Sequence, residues 1–312
     1  MKEYIKFPET RQQMKAAAEG FQQRCGMPGI IGAVDGTHVP VPGPTTEHRA
    51  SFINRKGFPS MILQVICDSN LQFIDIYTGW PGSVHDARVF RNSPVCNKID
   101  NLPDDFHVLG DSAYPLKKHV LVPYRDNGHL DHVQKKFNKA HSSTRVDVER
   151  AIGLLKCKFR RLKYLDMKLE QEIPVVISAC CVIHNFILRE EKDLECFEFD
   201  SENLGDDGNG CGEHEVANAD AEAKRRYIAN CTQTIDLVAH DHNYWYSVKT
   251  RNVSTQHTSP EFGIDSIKTD SDERFYTRLS LSVFLTLISQ LSICYVDSLE
   301  NIGMFCTTVG SH

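Results

Sequence analysis

Ser142 to Tyr164 reads SSTRVDVERAIGLLKCKFRRLKY. Apolar residues recur at Val148, Ile152, Leu155, Phe159 and Leu162, the spacing of one buried stripe on a 3.6-residue period. Thr144 with Asp147 three residues on fits a capping box, so the predicted helix starts at Thr144 and Glu149 falls near the end of its first turn. Glu149, Gly153, Lys156 and Arg160 form a second row beside the stripe. Arg145, Arg150, Lys158, Arg161 and Lys163 spread over the remaining surface. One carboxylate on a basic rod has two readings. It is a solvated amphipathic helix whose acid is one surface charge among many, or a face that takes a polyanion beside a working acid.

Charge around this helix is unevenly placed. From Lys117 to Tyr164 there are thirteen Lys and Arg against four Asp and Glu, whereas Arg189 to Glu222 holds two basic residues against thirteen acids. The net charge of -6 for 312 residues averages two unlike blocks, so it does not exclude a nucleic-acid partner. The eleven cysteines include no C-x-x-C and one doublet, Cys180-Cys181. That pattern is neither a disulfide framework nor a zinc module, and it suits a reducing interior. No basic and apolar leader opens the chain, so a secretory signal is not expected.

Upstream, Met14, Ala17, Ala18 and Phe21 lie at helical spacing in a lead-in over 1–29. Ile30 to Val41 (IIGAVDGTHVPV) predicts a first strand, apolar to Val34, that carries Asp35 and His38 in its far half. A carboxylate in such a strand needs a reason, because burying it unpaired is costly. Met61 to Asp68 and Phe73 to Trp80 predict a hairpin, which with the first strand makes an antiparallel meander. A short helix over Ser83 to Arg91 follows, with Ser83 and Asp86 at capping-box spacing. Phe106 to Gly110 predicts a fourth strand that delivers Asp111 at its end, and Val120 to Tyr124 a fifth.

Downstream, Ile173 to Glu191 predicts a buried packing helix, apolar nearly all round, with His184 and Asn185 as satisfied core polar groups. Its apolar run is too short for a membrane span. An acidic linker over 191–223, a terminal helix over 224–238 with Ile228, Ile235 and Val238 towards the core, and an unassigned, irregular tail over 239–312 complete the chain. Leu279 to Val296 is charge-free for eighteen residues but rich in Ser, and is expected to be an extra element or unfolded tail rather than a membrane span.

Three strands, a helix, a fourth strand and then a long helix is the order of a ribonuclease-H-like α/β fold, a mixed sheet flanked by helices. There the first and fourth strands are neighbours, so Asp35, Asp111 and Glu149 converge. Two-metal phosphoryl transfer needs such carboxylates, holding ions about 3.5–4 Å apart. Oxygen ligands of this kind suit Mg²⁺ or Mn²⁺, and the basic surface round Glu149 becomes a phosphate-contacting face.

The strings IGAVDGTHVPV, FINRKGFPS, QVICD, GWPGSVHDARVF, LGDSAYPL, RVDVERAIGLLKCKFRRL and ACCVIHNFIL together resemble the nuclease domain of the PIF/Harbinger transposase family, in the family's order, over about Tyr4 to Val238. The resemblance implies a DDE nuclease domain over 30–190 with DNA as partner, a divalent-metal cofactor and nuclear residence. Its Asp-Asp-Glu triad carries over onto Asp35, Asp111 and Glu149. Asp86 matches a further acidic position, either a fourth metal contact or the helix cap noted above. Arg55, Lys56, Lys156 and Arg160 are the candidate phosphate contacts, against plain solvated charges. Only some thirty residues precede Asp35, where family members carry a helical DNA-binding segment, so sequence-specific DNA binding by this chain alone is not expected. The competing reading is an inactive, domesticated relic that keeps the fold as an interaction module, for example with a Myb-like DNA-binding partner. A hydrolase acting on RNA has no support beyond topology.

Overall fold

The computed structural model describes residues 3–44, 48–167, 171–190 and 219–232. Five strands form one mixed sheet, β1 (Ile30–Pro40), β2 (Ser60–Cys67), β3 (Phe73–Pro81), β4 (His107–Leu109) and β5 (Val120–Leu121), in the order β3-β2-β1-β4-β5. The first three form the antiparallel meander expected from the sequence. β4 runs parallel to β1, with Ala33 opposite Leu109, and β5 runs parallel to β4.

Helices cover both faces. On one, Val148, Ala151, Ile152 and Leu155 of α5 (His132–Lys158) and Ile177 and Cys181 of α6 (Ile173–Glu190) pack on Ala33, Val39, Leu63 and Val65. On the other, Met14 and Ala18 of α1 (Arg11–Cys25), Phe90 of α3 (Asp86–Arg91) and Val95 and Ile99 of α4 (Pro94–Asp100) pack on Ile31, Val34, Ile66 and Val108. A third cluster, Phe21, Leu109, Leu121, Phe137 and Ile228, brings α7 (Ala219–Cys231) against the β4–β5 end. A four-residue helix, α2 (Arg49–Phe52), was not expected from the sequence.

The deciding helix departs from expectation at its start. α5 begins twelve residues before Thr144, on a capping box made by Asp131 and Gln134. Thr144 instead lies mid-helix and donates its hydroxyl to Ala140 O, 2.9 Å. Asp147 is taken by Arg24 of α1, 2.8 Å away. A Thr-x-x-Asp pattern caps a helix only where the chain upstream leaves it, and here Phe137 and His141 keep the upstream turns buried against β5. Of the apolar stripe, Val148, Ile152, Leu155 and Leu162 are buried, the last in a 3-10 turn over Arg160–Lys163, whereas Phe159 is half-buried and caps the end of α5 at Lys158.

The other shifts are local. α3 begins at Asp86 rather than Ser83, because Gly82 and Ser83 donate to Ser60 O and Ser51 O and are held in a turn closed by Val84 N on Pro81 O. Residue His85 occupies the N-cap without a side-chain bond, so the Ser83–Asp86 cap does not form. α7 begins at Ala219, ahead of Lys224. Asp220 and Glu222, counted among the linker acids, sit in its first turn, where the helix dipole favours them. Against the short apolar run read from the sequence, α6 is long and apolar enough to cross a membrane by length and composition; half of it is buried, and it packs on β3. Asn185 accepts from Phe73 N and donates to the carbonyls of Phe73 and Tyr4, while His184 meets Leu71 O. Residues 191–218 of the linker, Ile235, Val238, the tail over 239–312 and its stretch Leu279 to Val296 lie outside the described residues.

Candidate functional site

β1 is buried from Ile30 to Val34, half-buried from Asp35 to His38 and buried again at Val39, so Asp35 opens the half-buried stretch of the strand. The parallel register sets its neighbour. Asp35 is two residues beyond Ala33 and Asp111 two beyond Leu109, and those two residues are ladder partners. Equal offsets on adjacent parallel strands bring the two acids to the same end of the sheet. There, Asp111 turns the chain: its carboxylate accepts from Ala113 N at 3.0 Å and its carbonyl from Tyr114 N.

Asp86 approaches from the opposite face, over Gly36. A methyl group at position 36 would lie 2.5 Å from its Oδ1, so the glycine is what admits a carboxylate against the β1 backbone. Burial pushes the Asp35 carboxyl up to about 7; Arg145 opposes this, and the charges of Asp111 and Asp86 add to it. The same three acids, after burial itself, raise the phenol of Tyr114. Its hydroxyl is buried with no hydrogen-bond partner.

Glu149 joins the group through Arg145, which the sequence reading left on the outer surface. Arg145 Nη2 stands 3.4 Å from Asp35 Oδ2 and 3.3 Å from Glu149 Oε1, and Asp111 also acts on it. The signal was the spacing: four residues before Glu149 on a helix is the same face, and Arg145 heads the row that runs through Glu149, Gly153 and Lys156. Starting the helix at Thr144 put Arg145 in a cap turn and hid this. Glu149 remains at the rim, with its side chain 39% exposed.

The four candidate phosphate contacts differ. Lys156 Nζ donates to Thr37 Oγ1 at 2.6 Å and to His38 O at 3.0 Å, tying α5 to β1 beside Asp35. Arg55 meets the ring of His85, the residue before Asp86. Lys56 lies in the adjoining turn that Asn54 organises by accepting from Lys56 N. Arg160 is exposed on the 3-10 turn after α5. Of these, the Lys156 ammonium joins helix to strand, and the Arg55 guanidinium joins its turn to the His85 ring.

A divalent cation fits the chemistry of this donor set. Asp35, Asp86, Asp111 and Glu149 supply hard oxygens, and the charges of Asp111 and Asp86 add to the raised proton affinity of Asp35, which a 2+ charge would relieve. Among the described residues, however, no group of three or more His, Cys, Asp and Glu stands as a ready-made metal cluster. Arg145 lies between Asp35 and Glu149, and Asp86 comes from the other face.

Comparison with known proteins covers the stretch of chain that holds these residues. Residues 34–185 match the family model described as DDE superfamily endonuclease. The chain is 33% identical over 198 residues to the Rattus norvegicus protein named "Putative nuclease HARBI1", covering 62% of this chain and 55% of the relative. The Homo sapiens protein of that name is 30% identical with the same coverage. "Protein ALP1-like" of Arabidopsis thaliana is 29% identical over 205 residues, 60% of this chain and 49% of the relative. The chain thus spans about half the length of the curated relatives it matches. No solved structure matches it significantly.

Proposed function

We propose that this chain, whose residues 34–185 match the DDE superfamily endonuclease model, is a metal-dependent DNA endonuclease of the Harbinger-derived type, on a ribonuclease-H-like sheet. The observation that carries this reading is the equal placement of Asp35 and Asp111 beyond the parallel β1–β4 ladder, with Glu149 linked to Asp35 through Arg145. In this reading Asp35, Asp111 and Glu149 hold Mg²⁺ or Mn²⁺, and Asp86 is a further contact. A divalent ion held by these acids would supply activation of a water and stabilisation of the leaving oxygen of a phosphodiester.

The chain's own residues do the positioning. Asp35 is fixed by the β1 backbone and Asp111 by the turn that follows β4, and the Lys156 contacts with Thr37 and His38 hold α5, with Glu149, against β1. Arg55, Lys56 and Arg160 offer phosphate contacts round the acids. DNA is the substrate, the nucleus the compartment, and a Myb-like protein the partner that supplies site recognition. A second reading has one observation in its favour. Because the acids are not preassembled as a metal cluster, a relic that keeps the fold as an interaction module would look the same.

Calorimetric titration of Mn²⁺ into the full chain and into Asp111→Ala, with nicking of supercoiled plasmid by both, separates the two. Binding and nicking in the wild type that are both lost in the variant are expected. Identical binding curves with no cleavage from either protein would replace the nuclease by the relic.

A further inference from the structure

Arg145 stands at long ion-pair distances from two acids, 3.4 Å from Asp35 and 3.3 Å from Glu149. Well-made guanidinium–carboxylate bonds are about 2.7–2.9 Å and often paired. Its Nε is buried with no acceptor, so a group with five donors in a rigid fork is left short of partners where charge is expensive to leave unsatisfied. Its backbone is the middle of a 27-residue helix, so only the side chain can move.

The surroundings define what it does there. Around it are Asp35 of β1, Asp111 beyond β4, Tyr114 in the following turn and Glu149 one turn on along α5. His141, one turn back, is buried and donates from Nε2 to Leu121 O, 3.3 Å. A divalent ion on Asp35 and Glu149 would meet the guanidinium as a like charge at close range, where repulsion is weakly screened.

Resting on the metal-site reading above, we propose that Arg145 is a displaceable counter-ion, which joins Asp35 to Glu149 in the metal-free protein and competes with the divalent cation for both. Metal affinity is then set by how readily one arginine side chain withdraws, as well as by the acids. A residue that only braced Glu149 would act with the opposite sign, since its removal would loosen the metal.

The test is Mn²⁺ titration of the full chain, of Arg145→Gln and of Arg145→Lys, followed by calorimetry and by loss of the free-ion spin-resonance signal. Arg145→Gln should bind Mn²⁺ about tenfold more tightly than wild type, the factor carried by about 1.4 kcal/mol of relieved repulsion. It should also melt lower than wild type without metal and gain more on adding it. Arg145→Lys keeps a charge on a shorter stem and should fall between, which keeps a measurement in hand if the glutamine variant does not fold. Unchanged or weaker binding in the variants, with wild type still binding, overturns the counter-ion and leaves the metal site standing. No binding by any of the three removes the metal site, and the counter-ion with it.

Discussion

α5 carries two ion pairs that differ in how they are finished. On the side facing α1, Asp147 is buried and meets Arg24 at 2.8 Å, and Arg24 also donates to the carbonyl of Ser69 in the β2–β3 turn. On the side facing β1, Arg145 reaches Asp35 and Glu149 only at 3.3–3.4 Å and keeps a buried Nε without an acceptor. Both sets are costly to bury. Burial raises the Asp147 carboxyl against the pull of Arg24, just as it raises Asp35 against Arg145. What separates them is satisfaction: the first is closed by short bonds across three elements, the second is left open. A pair built to stay and a cluster able to exchange its cation sit two residues apart on one helix.

The contrast breaks most visibly by removing one partner from each. Arg24→Met strands a buried carboxylate and should cost about 3 kcal/mol, the lower range for breaking a buried pair. Denaturant unfolding reads this directly, and Mn²⁺ affinity should stay within about twofold of wild type because Asp147 is not in the cluster. Glu149→Gln removes one end of a partly exposed i,i+4 pair and should change stability by no more than about 0.5 kcal/mol, while Mn²⁺ binding weakens. If Arg24→Met loses metal binding in proportion to stability, the two sides of α5 are one unit and the distinction fails.

A smaller effect sharpens the same point through pH. The Asp35 carboxyl stands at about 7 in the folded protein against 3.8 unfolded. A raised carboxyl favours folding below its unfolded value, and that contribution is lost as pH rises through about 7. In metal-free buffer Asp35→Asn should therefore match wild type near pH 4 and exceed it above pH 7. The gain should be on the order of 1–2 kcal/mol once the weakened Arg145 contact is set against it. Unfolding curves at pH 4 and pH 8 measure it. Equal stability at both would mean that Asp35 is already compensated and the cluster is as closed as the Asp147 pair.

The two sides were unequally legible in the sequence. The meander, the fourth strand and the stripe on α5 follow from alternation and period, which local residues carry. The helix start was misread because Thr144 and Asp147 mimic a cap, and nothing local shows that Phe137 and His141 are buried under β5. That error carried Arg145 out of the row of Glu149 and turned Asp147 into a cap instead of Arg24's partner. Arg24 lies more than a hundred residues from Asp147, a distance that spacing rules do not cross. Asp86 was recoverable only as one of two roles. The choice depends on the turn at Gly82 and Ser83 and on the missing side chain of Gly36.

The smallest expected effect concerns the cations beyond the cluster. Lys156 is committed to Thr37 and His38, whereas Arg160 is exposed on the turn that follows α5. If the face beside Glu149 carries DNA, Arg160→Ser should weaken binding to all sequences alike. It should also flatten the slope of log K against log salt by about 0.9, one phosphate's worth of released counterion. Lys156→Met should behave differently, because its ammonium joins helix to strand: stability should fall by roughly 1–2 kcal/mol, and the salt slope should move less than for Arg160→Ser. Filter binding from 50 to 200 mM salt, with unfolding curves for both variants, gives the comparison. A slope that changes for Lys156 and not for Arg160 would reverse the assignment, placing the nucleic acid close over the strand ends instead of along the turn. Slopes unchanged in both would take DNA off this face altogether.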